Sequence, residues 1–401
     1  MNILAKKLSF LKPSQTIAIS TKAAELRAQG HDVIALSAGE PDFDTPENIK
    51  VAAKAAIDAG ETKYTAPDGT PELKDAIIEK FLRENELSFT RDQVIASTGG
   101  KQVIFNALMA TLDPGDEVIV PTPYWVSYPD MVTLCGGTPV ILHTQAKDNF
   151  AIAPQSLAAA ITKNTKWLMI NSPGNPSGAV LNRDQLTALA TILRQYPNVW
   201  ILCDDMYEHL IYDGDFTTLA AVAPDLAPRI LTVNGVSKAY AMTGWRLGYA
   251  GGPREIIKAM KTVQSQSTSN PSSISQAAAA EALIGPQDYI SLSRPVFEKR
   301  RDMVVDALNR CEGVTCSKPS GAFYVFPSIA GCLNKMSQKG TILKTDEDFS
   351  MALLSEANVA LVHGSAFGFP GHVRLSYATS DANLIAATDR VKDFCAQLKA
   401  I

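Results

Sequence analysis

Short apolar runs rich in β-branched residues alternate with longer stretches of helical spacing through the middle of the chain. VIAST (94–98) reads as a strand, and GGKQVIFNALMATL opens a helix immediately after it. DEVIVPTP, TPVILHT, TKWLMINSP, VWILCDD and RILTVN (229–234) read as further strands, separated by turn residues or helical segments. Helical spacing covers 46–59 and 71–85. This order predicts an α/β sheet of mixed or mainly parallel strands. Toward the N-terminus, KPSQTIAISTKAAELRAQG suggests a helix with a Ser14 start and a Gly30 stop, and VIALSAGEPDFDTP runs from a strand into a turn. QSQSTSNPSS reads as a loop. A long helical stretch carrying Arg294, Lys299, Arg300 and Arg301 then leads to strands at 321–327, 359–367 and 372–378 and helices near 346–357 and 381–398.

Composition narrows what such a sheet serves. With 401 residues, 46% of them hydrophobic, the chain exceeds one ordinary domain, so two are expected. A formal net charge of -4, with no lysine–arginine run, points to small ligands rather than nucleic acid or a membrane surface. The six cysteines are scattered without CxxC spacing, and none of the five histidines falls in HExxH, so a metal site is not expected. MNILAKKLSF lacks the apolar core of a signal peptide, and no apolar run is long enough to span a bilayer. A cytoplasmic protein is the expectation.

Candidate chemistry clusters at predicted strand ends, where open α/β sheets bind ligands. Lys238, in GVSKAYAMTGWRLG (235–248), follows the strand 229–234. It reads either as a solvated surface charge or as a Schiff-base lysine. Gly99 and Gly100 sit between a strand and a helix, the order of a phosphate site, although a connecting turn uses the same residues. Gly39 taken alone is a tight turn that also permits close approach of a ligand. Trp125 is either core or a flat surface for a ring, Asn175 either a turn residue or an amide donor, and Asp204 either a helix cap or the partner of a protonated ring nitrogen. Arg374 lies among apolar neighbours in a strand, so a carboxylate partner is expected from the protein or from a ligand.

Together these motifs resemble the class I aminotransferases of pyridoxal phosphate fold type I, most of all the bacterial aspartate aminotransferase subgroup Ib, over nearly the whole chain. GVSKAYAMTGWRLG is the most specific match. The resemblance implies a large domain (46–290) with a mainly parallel seven-stranded sheet, and a smaller α/β domain built from 1–45 and 291–401. It implies that Lys238 holds pyridoxal 5'-phosphate as an internal aldimine, with Ser237 and Arg246 on the phosphate and Gly99, Gly100 and Lys101 in the phosphate loop. By the same likeness Trp125 stacks on the ring, Asn175 and Tyr207 serve the phenolic oxygen, and Asp204 serves the ring nitrogen. Arg374 then binds the substrate α-carboxylate, and Tyr64 reaches the phosphate of the neighbouring subunit in a homodimer.

Substrate follows from a count of cations. The resemblance assigns the distal carboxylate of an acidic substrate to Lys101, and acceptance of prephenate to a cation near position 12, here Lys12. Aspartate or glutamate as donor, with 2-oxoglutarate or oxaloacetate as acceptor in ping-pong fashion, and prephenate as a further substrate giving arogenate, is the expected chemistry. An alanine or aromatic aminotransferase, or a lyase of the same fold, shares the cofactor residues. A non-catalytic sensor would lack use for the full lysine, acid and arginine set, and a nicotinamide dehydrogenase would need a GxGxxG after the first strand.

Overall fold

The computed structural model describes residues 3–11 and 15–401, so the Ser14 helix start and Lys12 lie outside the described residues. A seven-stranded sheet runs in the order Val94–Ser97, Gly248–Gly251, Ile230–Gly235, Trp200–Asp204, Thr165–Asn171, Glu117–Pro121, Thr138–Leu142. Only Gly248–Gly251 is antiparallel to its neighbours. The near-continuous apolar character of these strands has its cause in the layering. Val118 and Val120 face one core and Ile119 the other; Leu202 likewise opposes Ile201 and Cys203. A sheet covered on both faces needs apolar residues at every position rather than every second one. Helices Pro71–Asn85, Arg183–Leu193 and Ser273–Ile284 contribute to one cover, and Gly100–Thr111, Ser127–Leu134 and Arg254–Ser265 to the other.

Local signals explain the helix ends. Thr70 caps Pro71–Asn85 by accepting from the Leu73 N–H, with proline at the first helical position, and Glu86 ends the helix in the left-handed region. The strand Gly248–Gly251 was not anticipated from YAGG, because glycine and alanine carry little strand preference. Close packing requires them instead. A Cβ on Gly248 would stand 2.2 Å from the Gly100 nitrogen and 2.5 Å from the Gly99 carbonyl carbon, so this strand presses directly on the glycine turn. The stretch read as a loop at 264–273 also differs: Gln264 and Ser265 complete a helix. Gln264 is buried, accepting from Ser97 and Asn106 and donating to the Ala96 carbonyl.

The start and end of the chain share further cores. Ile34 and Leu36 pack with Leu308, Phe349 and Val391, while Ile19, Ala23 and Val33 pack with Ala360 and Val362. Ile34–Ala35 pairs in parallel with Val359–Ala360. A three-stranded antiparallel sheet follows the order Val362–His363, Val373–Ser376, Tyr324–Val325. The expected strand 359–367 is thus two short strands serving different sheets, followed by a 3-10 turn at Gly364–Phe367. The strand expected at 321–327 shrinks to Tyr324–Val325, since Ala322 is left-handed at φ 57. Among the described residues no helix is long and apolar enough to cross a membrane.

Candidate active site

The parallel strands end on a cavity of about 280 Å³. Gly100, Trp125, Asn175, Asp204 and Lys238 all follow or end those strands and all line it. Lys101, Tyr207, Ser237 and Arg246 line it too, and Gly39 and Arg374 approach from the second core. Gly99 is not itself on the lining but abuts Arg246, and two further expected residues stand apart. Tyr64 is 92% exposed and does not line this cavity, and Lys12 lies outside the described residues.

Arg374 explains itself by what surrounds it. It is 2% exposed in the central strand of the antiparallel sheet. Its Nη1 donates to Asn175 Oδ1 at 2.9 Å and its Nη2 to the Ser37 carbonyl at 2.6 Å. The guanidinium lies 4.7 Å from the Tyr324 ring centroid and 5.1 Å from that of Phe367. No carboxylate pairs with it among the described residues, and its Nε meets no acceptor there. Burial lowers its titration accordingly. Of the two partners open at the sequence level, a protein carboxylate is therefore excluded within the described residues, and the ligand remains.

Lys238 shows the same imbalance. Its Nζ donates to the Gly39 carbonyl. Burial pulls its titration down to about 8; Glu40 and Asp204 oppose this, while Arg246 and Arg374 reinforce it. An amine with that value is neutral in part near physiological pH, as attack on a carbonyl requires. Asp204, 6% exposed, accepts from Tyr128 Oη at 2.5 Å and from the Met206 N–H at 3.3 Å. Burial pushes its carboxyl up, with Tyr128, Met206 and Lys238 working against that rise. A cation placed against Asp204 would complete its charge balance.

At the other end, the helix Gly100–Thr111 begins without a side-chain cap on Gly99, and Gly100 and Lys101 of its uncapped first turn line the cavity. A Cβ on Gly99, which has φ 87, would come within 2.4 Å of Arg246 Nη2. The bare backbone there and the guanidinium thus form an anion cradle that any side chain at Gly99 would fill. Arg246 is itself left-handed at φ 53, and its Nη1 donates to the Thr243 carbonyl at 2.8 Å. Lys101 Nζ lies 4.8 Å from the Trp125 ring centroid. Its titration is lowered, first by partial burial and then by Arg246.

Several residues in or around the site carry no recognised motif. Asn171 ends its strand, donates to the Asp204 carbonyl at 2.8 Å and accepts from the Asn175 N–H at 2.8 Å, bracing two expected residues at once. Tyr128 supports the site from behind, through its hydrogen bond to Asp204. Tyr324 and Ser37 gave no signal, since their roles arise from contacts with residues far away in the chain.

An α/β sheet that gathers an uncompensated guanidinium, a partly neutral lysine, a buried acid and an anion cradle at its strand ends makes a site for small anionic ligands. The chain belongs to the aminotransferase class I and II family, whose model matches residues 31–391. It is an aminotransferase, and the family implies pyridoxal phosphate as cofactor, with amino acids and keto acids as reactants. Among its relatives is an aspartate/prephenate aminotransferase of Cereibacter sphaeroides, 59% identical over 399 residues, covering 99% of this chain and 100% of the relative. An aspartate aminotransferase of Rhizobium meliloti is 54% identical over 395 residues, covering 98% and 96%. The crystal structure of an aspartate aminotransferase from Rhizobium meliloti superposes with a TM-score of 0.97 at 54% identity over 100% of both chains. That of the Thermus thermophilus aspartate aminotransferase with maleate gives 0.92 at 45% identity, over 98% and 100%.

Proposed function

We propose that this chain transfers the amino group of L-aspartate or L-glutamate to 2-oxoglutarate or oxaloacetate, with prephenate as a further acceptor, using pyridoxal 5'-phosphate held by Lys238. The carrying observation is the pair of cations on one cavity: Arg374, buried without a carboxylate, and Lys101 beside Trp125. A dicarboxylate supplies one anion for each. The names of the relatives support the same substrates.

The donor set fits the cofactor. Arg246, Ser237 and the uncapped helix start at Gly99 and Gly100 bind its phosphate. Trp125 covers a ring face and keeps water from it, Asn175 and Tyr207 serve the phenolic oxygen, and Asp204 pairs with the ring nitrogen. When bound, the cofactor supplies a cationic conjugated system that accepts the electron pair released as the substrate α-proton leaves. Arg374 holds the α-carboxylate through a bidentate contact, so the α-proton faces Lys238. Lys238 Nζ, free once the substrate amine has taken its place on the cofactor, would accept that proton as general base. Tyr128 fixes the Asp204 carboxylate by donating to it, so that it could pair with the ring nitrogen. The same steps in reverse on a keto acid complete the exchange.

The domain reading remains part of this proposal: 46–290 as the large cofactor-binding domain and 1–45 with 291–401 as the small one. So does a homodimer in which Tyr64, exposed in one subunit, reaches the phosphate of the other. Spectra of the purified holoenzyme titrated with aspartate, alanine, phenylalanine and arogenate test the activity. The visible band is expected to fall with aspartate and return with 2-oxoglutarate; a band indifferent to every amino acid would sink the proposal. Lys101→Ala is expected to lower kcat/KM for aspartate by about tenfold or more, while alanine is little affected. Equal losses for both would remove the distal-carboxylate role from Lys101.

A further inference from the structure

Tyr324 belongs to no motif at the sequence level, yet it touches both chemical ends of the cavity. It lies on the strand beside the one bearing Arg374, with Ser376 as its register partner, and is fully buried. Its ring supports the Arg374 guanidinium at 4.7 Å. Its hydroxyl is 2.9 Å from the Tyr207 hydroxyl, and the two rings meet edge to face at 5.7 Å. Gly39, whose carbonyl receives Lys238, is held close as well: a Cβ there would stand 2.6 Å from Tyr324 Oη.

Two hydroxyls that share one hydrogen bond must choose a direction. Burial raises the titration of both hydroxyls and Arg374 works against that rise at both, but Arg374 packs against the Tyr324 ring, and Asp204 adds to the rise at Tyr207 alone. Tyr324 is thus the better donor and Tyr207 the better acceptor. With Tyr324 donating, the Tyr207 proton is released to face the cavity, where an oxyanion can accept it. A hydroxyl that accepts one bond donates a stronger second one.

We propose that Tyr324 is a positioning residue that couples the substrate-carboxylate arginine to Tyr207: its hydroxyl turns the Tyr207 proton toward the cofactor's phenolic oxygen while its ring braces Arg374. This rests on the cofactor assignment above. It separates two roles in one side chain, an O–H that acts through Tyr207 and a ring that acts through Arg374.

Holoenzyme variants read the two roles apart. Tyr324→Phe keeps the ring and removes the hydroxyl. The pH midpoint of the bound cofactor's visible absorption is expected to rise by about half a unit, because Tyr207 donates less strongly to the phenolic oxygen. Binding of the unreactive dicarboxylate maleate, followed by the same spectrum, is expected to stay within about twofold. Tyr324→Leu removes the ring too and is expected to weaken maleate about tenfold or more. In a Tyr207→Phe background, adding Tyr324→Phe is expected to move the midpoint no further. An unmoved midpoint in Tyr324→Phe, a further shift in the double variant, or equal maleate affinities for Phe and Leu would each overturn the coupling. Tyr324→Phe alone decides the hydroxyl role should Tyr324→Leu fail to fold. Absence of a visible band in wild-type protein incubated with pyridoxal phosphate would instead overturn the cofactor assignment beneath it.

Discussion

Two cations are buried about equally in this molecule, Lys80 at 0% and Arg374 at 2% exposure, and their surroundings are opposite. Lys80 contacts the Glu208 carboxylate, donates to Asn85 Oδ1 at 2.7 Å and lies 3.4 Å from Glu84. Glu208 accepts in turn from Asn85 Nδ2 at 2.6 Å and Asn234 Nδ2 at 2.8 Å. Burial works to raise the Glu84 carboxyl, but His209, Lys80 and Arg83 outweigh it and bring it to about 2. Every charge in that cluster has its counter-charge inside the fold. Arg374 has only neutral oxygens and ring faces. Burying a charge costs several kcal/mol unless it is paired. An unpaired buried cation is therefore tolerated where a ligand completes it, and charge balance, more than burial, separates scaffold from site.

The largest expected effect that sharpens this contrast is on the scaffold side. Lys80→Met strands Glu208 in the core and is expected to cost about 3–5 kcal/mol of stability. Adding Glu208→Gln should recover a good part of it. Denaturant unfolding of the single and double variants measures both. Loss of activity in whatever fraction stays folded should be slight, because Lys80 does not line the cavity. If Lys80→Met unfolds no more easily than wild type, pairing is not what holds that cluster.

Arg374→Met should behave in reverse. Losing a bidentate charge-assisted contact is worth about 4 kcal/mol, or about a thousandfold in kcat/KM for aspartate. Stability of the cofactor-free protein should hold or rise slightly, since a cation with no counter-charge is gone. Steady-state kinetics and thermal unfolding of one preparation decide it. A Tm drop comparable to that of Lys80→Met would show Arg374 to be scaffold after all.

The unequal legibility of the two regions has a physical basis. Lys238, Gly100 and Asp204 were legible as cavity residues because each sits in a local pattern, a strand end or a glycine pair before a helix, whereas Arg246 was marked only by the likeness of GVSKAYAMTGWRLG to the family. Most of the main sheet was equally plain, since strands covered on both faces show as unbroken apolar runs such as WLMI (167–170). Lys80 carries no such mark. It lies on an ordinary helix, and its partner Glu208 is 128 residues away. Tyr324 and Asn171 were missed for the same reason: what they do is set by contacts across the chain. Gly248–Gly251 was missed because its residues were chosen for closeness to Gly99 and Gly100, a requirement that outranks strand propensity. Long runs also mislead when they serve two sheets, as at 359–363.

The smallest predicted effect tests whether Lys238 belongs with Arg374. Its titration falls from 10.5 in the open chain to about 8 in the fold, with burial as the main cause. Below about pH 8 both states carry the proton, and the folded state bears the full penalty of holding a charged amine there. Between about 8 and 10.5 the unfolded chain keeps a proton that the folded one has lost, so raising the pH favours folding. The stability of cofactor-free protein is therefore expected to gain about 1 kcal/mol from this group across that window, well short of the full shift because the side chain is only half-buried. Buried tyrosines such as Tyr128 and Tyr249, whose titration is raised, work the other way at high pH. The quantity to measure is thus the difference between wild type and Lys238→Met in denaturant unfolding from pH 7 to 10. A difference that narrows as pH rises identifies Lys238 as a cation the fold holds at a cost, as it holds Arg374; a constant difference places it with the compensated charges around Lys80.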